Sequence, residues 1–168
     1  MYETNRLILR KAVFSDWEQM YRNVWCHWET ARYMLWAVTE SEAAAKERME
    51  RTIAFQQSHH AWLVVEKESG KAIGFAGLRE ESGVCENTGI AVGPRYVGKG
   101  YGTEILNELV RIAKEGLNAH GFIATCRSEN EASRKMILGC GFRFSHAEPR
   151  VDKRNGEKYT LEFYRKEI

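Results

Sequence analysis

A glycine-rich loop is the part of this sequence whose residue types most clearly suggest chemistry. The segment Gly93–Leu106 reads GPRYVGKGYGTEIL, with three glycines at alternate positions near its middle. Glycine leaves backbone N–H groups accessible and adopts positive φ, so consecutive amides can surround an anion. A helix that begins directly after such a loop adds unpaired N–H groups and the positive end of its dipole. The segment therefore predicts a phosphate site, with Arg95 and Lys99 at its edge; the alternative is a turn that only begins a helix.

The spacing of the glycines limits which class of phosphate-containing ligand the loop could bind. The stretch GPRYVGKG nearly matches the nucleotide P-loop, G-x-x-x-x-G-K-S/T, but Gly100 stands where a hydroxyl would bind magnesium. No later strand ends in an aspartate that could serve as the second metal-holding acid. The spacing G-x-G-x-G also departs from the dinucleotide fingerprint G-x-G-x-x-G. A phosphate carried without magnesium, such as a pyrophosphate linkage, fits best, and a nucleotide hydrolase is the weaker alternative.

Two regular elements flank the loop and must hold it in place. A strand is predicted over Thr88–Val92, and a helix is predicted from about Gly100 to Leu117. The helix repeats its apolar residues with a helical period, which gives it one buried face. This stripe comprises Ile105, Leu106, Leu109, Ile112 and Ala113, and the residues off the stripe are Glu104, Glu108, Arg111 and Lys114.

The rest of the chain reads as strands and helices that do not alternate regularly. Further strands are predicted at Arg6–Lys11, Ala61–Glu66, Ala72–Leu78, Phe122–Cys126, Phe142–Ala147 and Lys158–Arg165. Further helices are predicted from Ser15 to about Trp36, after a cap at Thr39 or Ser41, and over Asn130–Leu138. This order predicts an α+β fold with a mixed sheet flanked by helices.

The overall composition limits the function. The chain has 168 residues and a net charge of only +2, so no basic field favours nucleic acid or a membrane surface. No stretch is apolar enough to cross a bilayer, and the N-terminus lacks the layout of a signal peptide. Four widely spaced cysteines predict neither a disulfide framework nor a metal site. We therefore expect one domain over residues 1–168, located in the cytoplasm, as a monomer or homodimer.

Two motifs in the expected order resemble signatures of the GNAT acyltransferase superfamily, and the resemblance covers nearly the whole chain. Arg95–Gly100 matches the pyrophosphate signature of that superfamily, Q/R-x-x-G-x-G/A, and Tyr101-Gly102 continues it. Asn130–Ser133, followed by Gly141-Phe142, resembles its second signature, N-x-x-S ahead of a Gly-Phe pair.

The N-terminal sequence resembles one branch of that superfamily, the RimJ/RimL-type acetyltransferases. The branch opening is similar to Thr4–Arg10, and Asp16 stands where the branch places an acid in the first helix. Thr30–Met34 fits the second short helix of the branch.

The resemblance implies acetyl-CoA as co-substrate, no metal, and a mostly antiparallel sheet splayed between its fourth and fifth strands, Thr88–Val92 and Phe122–Cys126. It implies an acceptor that is a primary amine, either a protein N-terminus or a small molecule. The pantetheine would pair with strand backbone, and the pyrophosphate would contact loop amides. An asparagine would hydrogen-bond the pantetheine or the neighbouring backbone. The implied cofactor-binding residues are Ile90, Ala91, Val92, Arg95, Val97, Gly98, Lys99, Gly100, Tyr101, Gly102, Thr103 and Asn130.

Glu86 is the candidate base. An amine must be neutral to attack a thioester, so a base assists, and superfamily members often carry a glutamate at the start of this strand. The usual spacing puts the acid two residues before Gly89, where Asn87 stands. Glu86 therefore faces the wrong side of the sheet unless a β-bulge restores the phase. The alternative is a solvated glutamate at the end of a strand.

The leaving thiolate also needs a proton donor. Many superfamily members use a tyrosine where Ile137 stands, so the usual acid is missing here. The branch resemblance implies Ser133 in this role. The alternative is that the Ser133 hydroxyl only hydrogen-bonds to the preceding turn of its own helix. Water or the substrate would then protonate the thiolate.

The N-terminal helical region is rich in aromatic residues. In the superfamily this region forms the acceptor wall, but for most of these residues we favour ordinary packing in the helical core. The residues are Trp17, Tyr21, Trp25, Trp28, Tyr33 and Trp36. Because the usual tyrosine is missing and Glu86 is out of phase, a catalytically inactive CoA-binding sensor stays open as the alternative to an N-acetyltransferase.

Overall fold

The computed structural model describes all residues, 1–168, and is built around one eight-stranded sheet. The strands are β1 (Tyr2–Glu3), β2 (Leu7–Arg10), β3 (His60–Glu66), β4 (Ala72–Glu81), β5 (Val84–Val92), β6 (Gly121–Arg127), β7 (Arg143–Val151) and β8 (Lys158–Glu167). Their spatial order is β1-β2-β3-β4-β5-β6-β8-β7. Every neighbouring pair is antiparallel except β5 and β6. The predicted mixed, mostly antiparallel sheet is confirmed, and β1 is an addition to it.

The sheet opens between β5 and β6. These strands pair in parallel only at their first residues, Val84–Glu86 with Gly121–Ile123. Beyond this point β5 continues to pair with β4 alone, up to Val92. The edge of β5 that faces the opening therefore carries backbone groups without a strand partner. Because β1 precedes the predicted strands, β5 and β6 are the predicted fourth and fifth strands, and the predicted splay is confirmed.

Helices cover both faces of the sheet. They are α1 (Trp17–Met20), α2 (Trp28–Ala31), α3 (Glu42–Ser58), α4 (Tyr101–Arg111) and α5 (Glu131–Gly139). π-helical turns extend α1 over Tyr21–Trp25 and α4 over Ile112–Gly116, and 3-10 turns lie at Phe14–Asp16 and Pro94–Tyr96. None of the helices combines the length and apolar character needed to cross a bilayer.

The first helical segment begins differently from the prediction. Asp16, rather than Ser15, organises this start: its Oδ2 accepts the backbone N–H of Val13 at 2.9 Å. The same buried carboxylate accepts two hydrogen bonds from the guanidinium of Arg10, at 2.7 and 2.8 Å. For α3, Ser41 is the cap, since its hydroxyl accepts the N–H of Ala44 at 3.1 Å.

The sheet separates two apolar cores. On one face it packs against α4 and α5, and on the other against α1, its π-helical extension and α3. The predicted stripe of α4 and its extension is buried throughout. Glu108 is a correction to the predicted pattern, because it lies off the stripe and is nevertheless buried. Arg111 covers it with hydrogen bonds of 2.6 and 2.9 Å, which satisfies the carboxylate.

Candidate active site

The glycine loop joins β5 to α4 and has the backbone that an anion site requires. Gly98 and Gly100 adopt φ values of +81° and +79°, a region that other residues rarely enter. A β-carbon at Gly98 would meet no atom within 4 Å, so the space beside this residue is open. Gly100 is the N-cap of α4. The loop therefore presents bare backbone at the positive end of a helix dipole.

The third glycine of the loop meets a packing requirement. A β-carbon at Gly102 would approach the sulfur of Met136 to 2.6 Å, far inside van der Waals contact. Its missing side chain lets α4 lie close to α5. Any contact from Gly102 to a cofactor would therefore come from its backbone N–H.

The side chains of the loop divide into anchoring and exposed groups. Tyr101 is buried, and its hydroxyl donates to Glu66 Oε1 at 2.6 Å. This hydrogen bond, together with burial, raises the pKa of Tyr101 to about 12. Lys99 Nζ lies 4.0 Å from the same carboxylate oxygen. The Tyr101 side chain is therefore an anchor, and only its backbone is available to a ligand. The exposed residues are Arg95, Val97, Lys99 and Thr103.

Arg6 fastens the loop from the N-terminal side. Its NH1 donates to the carbonyl of Lys99 at 2.8 Å, and its guanidinium lies 4.6 Å from the centre of the Tyr101 ring. Its Nε also donates to Glu104 Oε2, in the first turn of α4, at 2.8 Å. The sequence places Arg6 in the N-terminal motif and Glu104 on an exposed face, and it does not predict their contact with the loop.

A cavity of approximately 420 Å³ lies in the opening between β5 and β6. Its walls come from both strands, from α5 and from the segment Tyr33–Trp36. Four of the residues predicted from the sequence meet on its lining: Glu86, Ile90, Asn130 and Ser133. The strand then continues through Ala91 and Val92 towards the glycine loop.

A β-bulge in β5 sets which side chains of this strand share the face of Gly89. Gly77 pairs with Gly89, whereas the next residue of β4, Leu78, pairs with Asn87. Thr88 is therefore an extra residue on β5. A bulge of this kind shifts the alternation of faces by one position.

The bulge places Glu86 on the same face as Gly89, because residues opposed across an antiparallel pair share a face. The β-bulge that Glu86 needs in order to face the same side of the sheet as Gly89 is therefore present. The carboxylate accepts a hydrogen bond from Arg79 NH2 at 2.7 Å and is one quarter exposed. Arg79 is a partner that the sequence analysis does not identify. Arg79 contacts Oε2 alone, so Oε1 of Glu86 has no hydrogen-bond partner within the chain.

Asn87, which stands at the usual position of the acid, has a structural role. Its Oδ1 accepts the backbone N–H of Thr125 on β6 at 3.0 Å. This bond bridges the two strands just beyond their last paired residues, so Asn87 marks where the opening begins.

Asn130 and Ser133 lie together at the start of α5. Asn130 is the N-cap, and its side chain accepts the backbone N–H of Ser133 at 3.2 Å. This cap orients the first turn of α5 towards the cavity. No hydrogen bond joins the Ser133 hydroxyl to a carbonyl of its own helix. Cys126 also lines the cavity, and burial, followed by the charge of Glu162, raises the pKa of its thiol to about 11.

The place of the usual tyrosine is filled by Ile137, which is buried in the core. Two other phenols line the cavity, those of Tyr33 and Tyr159. The Tyr159 ring lies 3.8 Å from the guanidinium of Arg127. Both tyrosines come from segments far from α5 in sequence, so a motif search at α5 does not find them.

The aromatic residues of the N-terminal region split between core and cavity. Trp25 is almost fully buried, whereas Trp28 is 58% exposed. Tyr33 and Trp36 line the cavity, and the Trp36 ring packs edge-on against Phe75 at 6.2 Å between centroids. Some aromatic residues of this region therefore belong to the core, and others line the cavity.

These features fit acetyl-CoA in three respects. The open space and positive φ at Gly98 leave backbone amides accessible to a pyrophosphate. The free edge of β5 offers N–H and C=O groups to an amide-bearing chain such as pantetheine. The cavity at the splay then accommodates a small acyl group.

Comparison with known proteins agrees with this geometry. Residues 6–143 match the family model described as an acetyltransferase (GNAT) domain. The uncharacterized N-acetyltransferase YoaA of Bacillus subtilis (strain 168) is 25% identical over 167 residues, covering 96% of this chain and 93% of YoaA.

Two solved structures share the fold. The microcin C7 self-immunity acetyltransferase MccE, in complex with acetyl-CoA and AMP, superposes with a TM-score of 0.83 at 19% identity, over 98% of this chain and 94% of MccE. RimL, a ribosomal L7/L12 α-N-protein acetyltransferase in complex with coenzyme A, superposes with a TM-score of 0.79 at 17% identity. The superposition covers 98% of this chain and 96% of RimL.

The match to the family model spans most of the chain. The chain belongs to the GNAT acetyltransferase family and is an acyl-CoA-dependent acetyltransferase that uses acetyl-CoA as co-substrate.

Proposed function

We propose that this protein transfers the acetyl group of acetyl-CoA to a primary amine by direct attack in a ternary complex. The acceptor is the α-amine of a protein N-terminus or the amine of a small molecule. The observation that carries the proposal is the combination of a splayed β5–β6 pair with a glycine loop at the end of β5. This combination supports an anion site at the loop and a free strand edge that leads from it to a cavity.

In this proposal the backbone amides from Val97 to Gly102 hold the pyrophosphate, with Thr103, Arg95 and Lys99 at the edge. Ile90, Ala91 and Val92 pair with the pantetheine through their backbone. Asn130 orients α5 beside it. Acetyl-CoA supplies an electrophilic thioester carbonyl when bound.

Glu86 removes a proton from the ammonium form of the acceptor, directly or through a water, so that the nitrogen lone pair is free. A free backbone N–H near Val92 donates to the oxygen that gains negative charge as the N–C bond forms. Ser133 donates a proton to the sulfur as the C–S bond breaks. The nitrogen, positively charged after the attack, loses its second proton to solvent, and Ser133 recovers a proton from solvent. The products are the N-acetylated amine and free CoA thiol.

The N-terminal contacts support membership of the RimJ/RimL-type branch. Arg6 and Arg10, both from the opening motif, hold the glycine loop and Asp16 respectively. We further propose that residues 1–168 form a single domain, that it acts in the cytoplasm, and that it is a monomer or homodimer.

The test is Gly100→Asp, with Gly156→Asp as the matched control. Both glycines have nearly the same positive φ, +79° and +78°, and Gly156 lies in the β7–β8 turn with open space around it. The two variants therefore add the same charge and the same backbone strain. Calorimetric titration with CoA is expected to show roughly 100-fold weaker binding for Gly100→Asp and unchanged binding for the control.

Acetyl transfer is measured as CoA release with a panel of amines. Turnover with at least one amine supports the proposed reaction. Tight CoA binding without turnover for any amine supports a CoA-binding sensor instead. Undiminished CoA affinity in Gly100→Asp contradicts the assignment of the loop.

A further inference from the structure

A second cavity lies against the opposite side of the splay wall. It has a volume of approximately 360 Å³ and lies between α3 and the face of the sheet that carries Phe75. Trp36, Phe75, Thr88 and Gly89 line both this cavity and the one in the splay. The two spaces therefore adjoin at the bulge that positions Glu86. We call this second space the helical-side cavity.

The helical-side cavity holds a cation with no counter-ion. The guanidinium of Arg48 lies 4.6 Å from the ring centre of Trp25 and 4.2 Å from that of Trp36. Its NH1 donates to the hydroxyl of Thr39 at 2.9 Å, and no carboxylate pairs with it. Burial, with repulsion from Arg51, lowers the pKa of Arg48 to about 10.

The other arginines that are not exposed all have acidic partners. Arg10 pairs with a carboxylate at 2.7 Å, Arg127 at 2.7 Å and Arg134 at 2.9 Å. A desolvated charge is costly unless it is paired, and the faces of two tryptophans compensate only in part. Arg48 has five N–H donors and its hydroxyl partner takes one of them. Arg48 is thus a cation in the wall of a cavity, and its other N–H groups make no hydrogen bond within the chain.

A further polar group of the shared wall also lacks a partner. The indole Nε1 of Trp36 is buried and makes no hydrogen bond. Buried donors of this kind are rare in folded proteins unless a ligand or water supplies the acceptor. The remaining lining is mainly apolar and aromatic, which suits a compact organic molecule.

We propose that the acceptor is a small amine that carries a carboxylate, such as an amino acid, and that Arg48 binds this carboxylate in the helical-side cavity. The inference rests on the proposed acetyl transfer. The amine would reach past Phe75 and Gly89 towards Glu86. A single guanidinium fork matches one carboxylate, since the neighbouring Arg51 is exposed and already faces Glu47 at 3.8 Å. The size of the cavity favours a molecule of amino-acid size over a peptide chain.

The first experiment compares each L-amino acid with its amide as acceptor. The amide is the less basic amine, so more of it is neutral at pH 8, and a preference for the acid cannot come from amine availability. We expect the best amino acid to exceed its amide in kcat/KM by roughly 10- to 100-fold in the wild type, as a charge-assisted hydrogen bond allows. In Arg48→Met this ratio falls to about 1, and Arg48→Lys restores part of it.

The control is Arg22→Met, which removes an equally charged side chain from an exposed ion pair with Glu18 in the same helical layer. Its acid-to-amide ratio is expected to equal that of the wild type. Calorimetric CoA titration of Arg48→Met checks that the fold is intact, because the glycine loop lies outside the helical-side cavity.

The second experiment does not depend on turnover. Because Arg48 contacts Trp25 and Trp36, carboxylate binding should change tryptophan fluorescence. Titrations use the non-fluorescent pairs L-leucine and L-leucinamide, and L-methionine and L-methioninamide. A saturable change with the acids alone, lost in Arg48→Met, supports the inference even if no amine is acetylated, an outcome that would contradict only the proposed reaction.

Several results would overturn the inference and leave the proposed reaction intact. The first is equal turnover of amino acids and their amides, and the second is a preference for the acid that survives in Arg48→Met. The third is a preference for O-phosphoethanolamine over every carboxylate-bearing amine. The fourth is acetylation of peptides but of no small amine.

Discussion

Arg6 and Glu104, 98 residues apart in the chain, are joined by a two-point contact. The backbone N–H of Arg6 donates to Oε1 of Glu104 at 2.8 Å, and its guanidinium lies 2.7 Å from Oε2. The N-terminal strand region therefore holds the first turn of α4, and with it the glycine loop. A residue that is not part of the glycine loop therefore contacts both the loop and the start of α4.

The first prediction concerns this contact. Arg6→Gln removes the hydrogen bond to the carbonyl of Lys99 and the ion pair with Glu104. We expect CoA affinity to fall roughly 10-fold and stability to fall by about 1 kcal/mol, because the pair is partly exposed. Calorimetry and urea denaturation measure the two effects. Arg22→Gln, which breaks an ion pair whose side chains are both more than half exposed, should change neither. Equal CoA affinity in Arg6→Gln and wild type would show that the loop holds its shape without this contact.

The second prediction concerns the base. Glu86→Gln keeps the size of the side chain but cannot accept a proton, so kcat should fall roughly 100-fold while CoA affinity stays the same. The defect should shrink as the pH rises above about 8, where an α-amine is neutral without help. The measurement is a pH profile of acetyl transfer for both proteins. A defect that stays constant across this range would indicate that Glu86 positions the site rather than accepting a proton.

The third prediction separates Ser133 from its cap. Ser133→Ala removes the hydroxyl and leaves the Asn130 hydrogen bond, which uses only the backbone N–H of Ser133. We expect kcat to fall roughly 10-fold with little loss of stability, as for the removal of a general acid of modest effect. Asn130→Ala removes the cap and should destabilise the protein by about 1 kcal/mol. Thermal denaturation and steady-state kinetics distinguish the two, and unaltered kcat in Ser133→Ala would assign the proton transfer to water or to another side chain.

The fourth prediction concerns pH and stability. Asp152 is buried in the β7–β8 turn, and hydrogen bonds from Arg154 and then Arg127 hold its pKa well below the usual range. Because the folded pKa is depressed, this stabilisation is present above the unfolded pKa of about 3.9 and is lost as the pH falls below it. Arg154 also donates to the carbonyls of Ala31 and Trp36, so the same cluster supports the cavity wall.

Urea denaturation of wild type and Asp152→Asn between pH 7 and pH 3 tests this. Wild type should be clearly more stable at neutral pH, and the difference should shrink as the pH falls below about 4. If the stability difference between wild type and Asp152→Asn does not depend on pH, Asp152 stabilises the protein through its packing rather than through its charge.

Local patterns in the sequence determine a large part of this protein. The helical period marks the buried stripe of α4, and the alternating glycines mark the loop whose positive φ values only glycine adopts readily. Each depends on residues a few positions apart. The expected splay follows instead from the family resemblance.

The tertiary structure decides what local patterns leave open. The bulge at Thr88 depends on how β5 meets β4, so the sequence could state the condition for Glu86 but not its outcome. Arg6 reaches Glu104 across the fold, and Arg48 is left without a counter-ion because α3 packs it against Trp25 and Trp36. Hydrogen bonding and desolvation act between groups that are neighbours in space, and neighbours far apart in sequence become known only when the chain has folded.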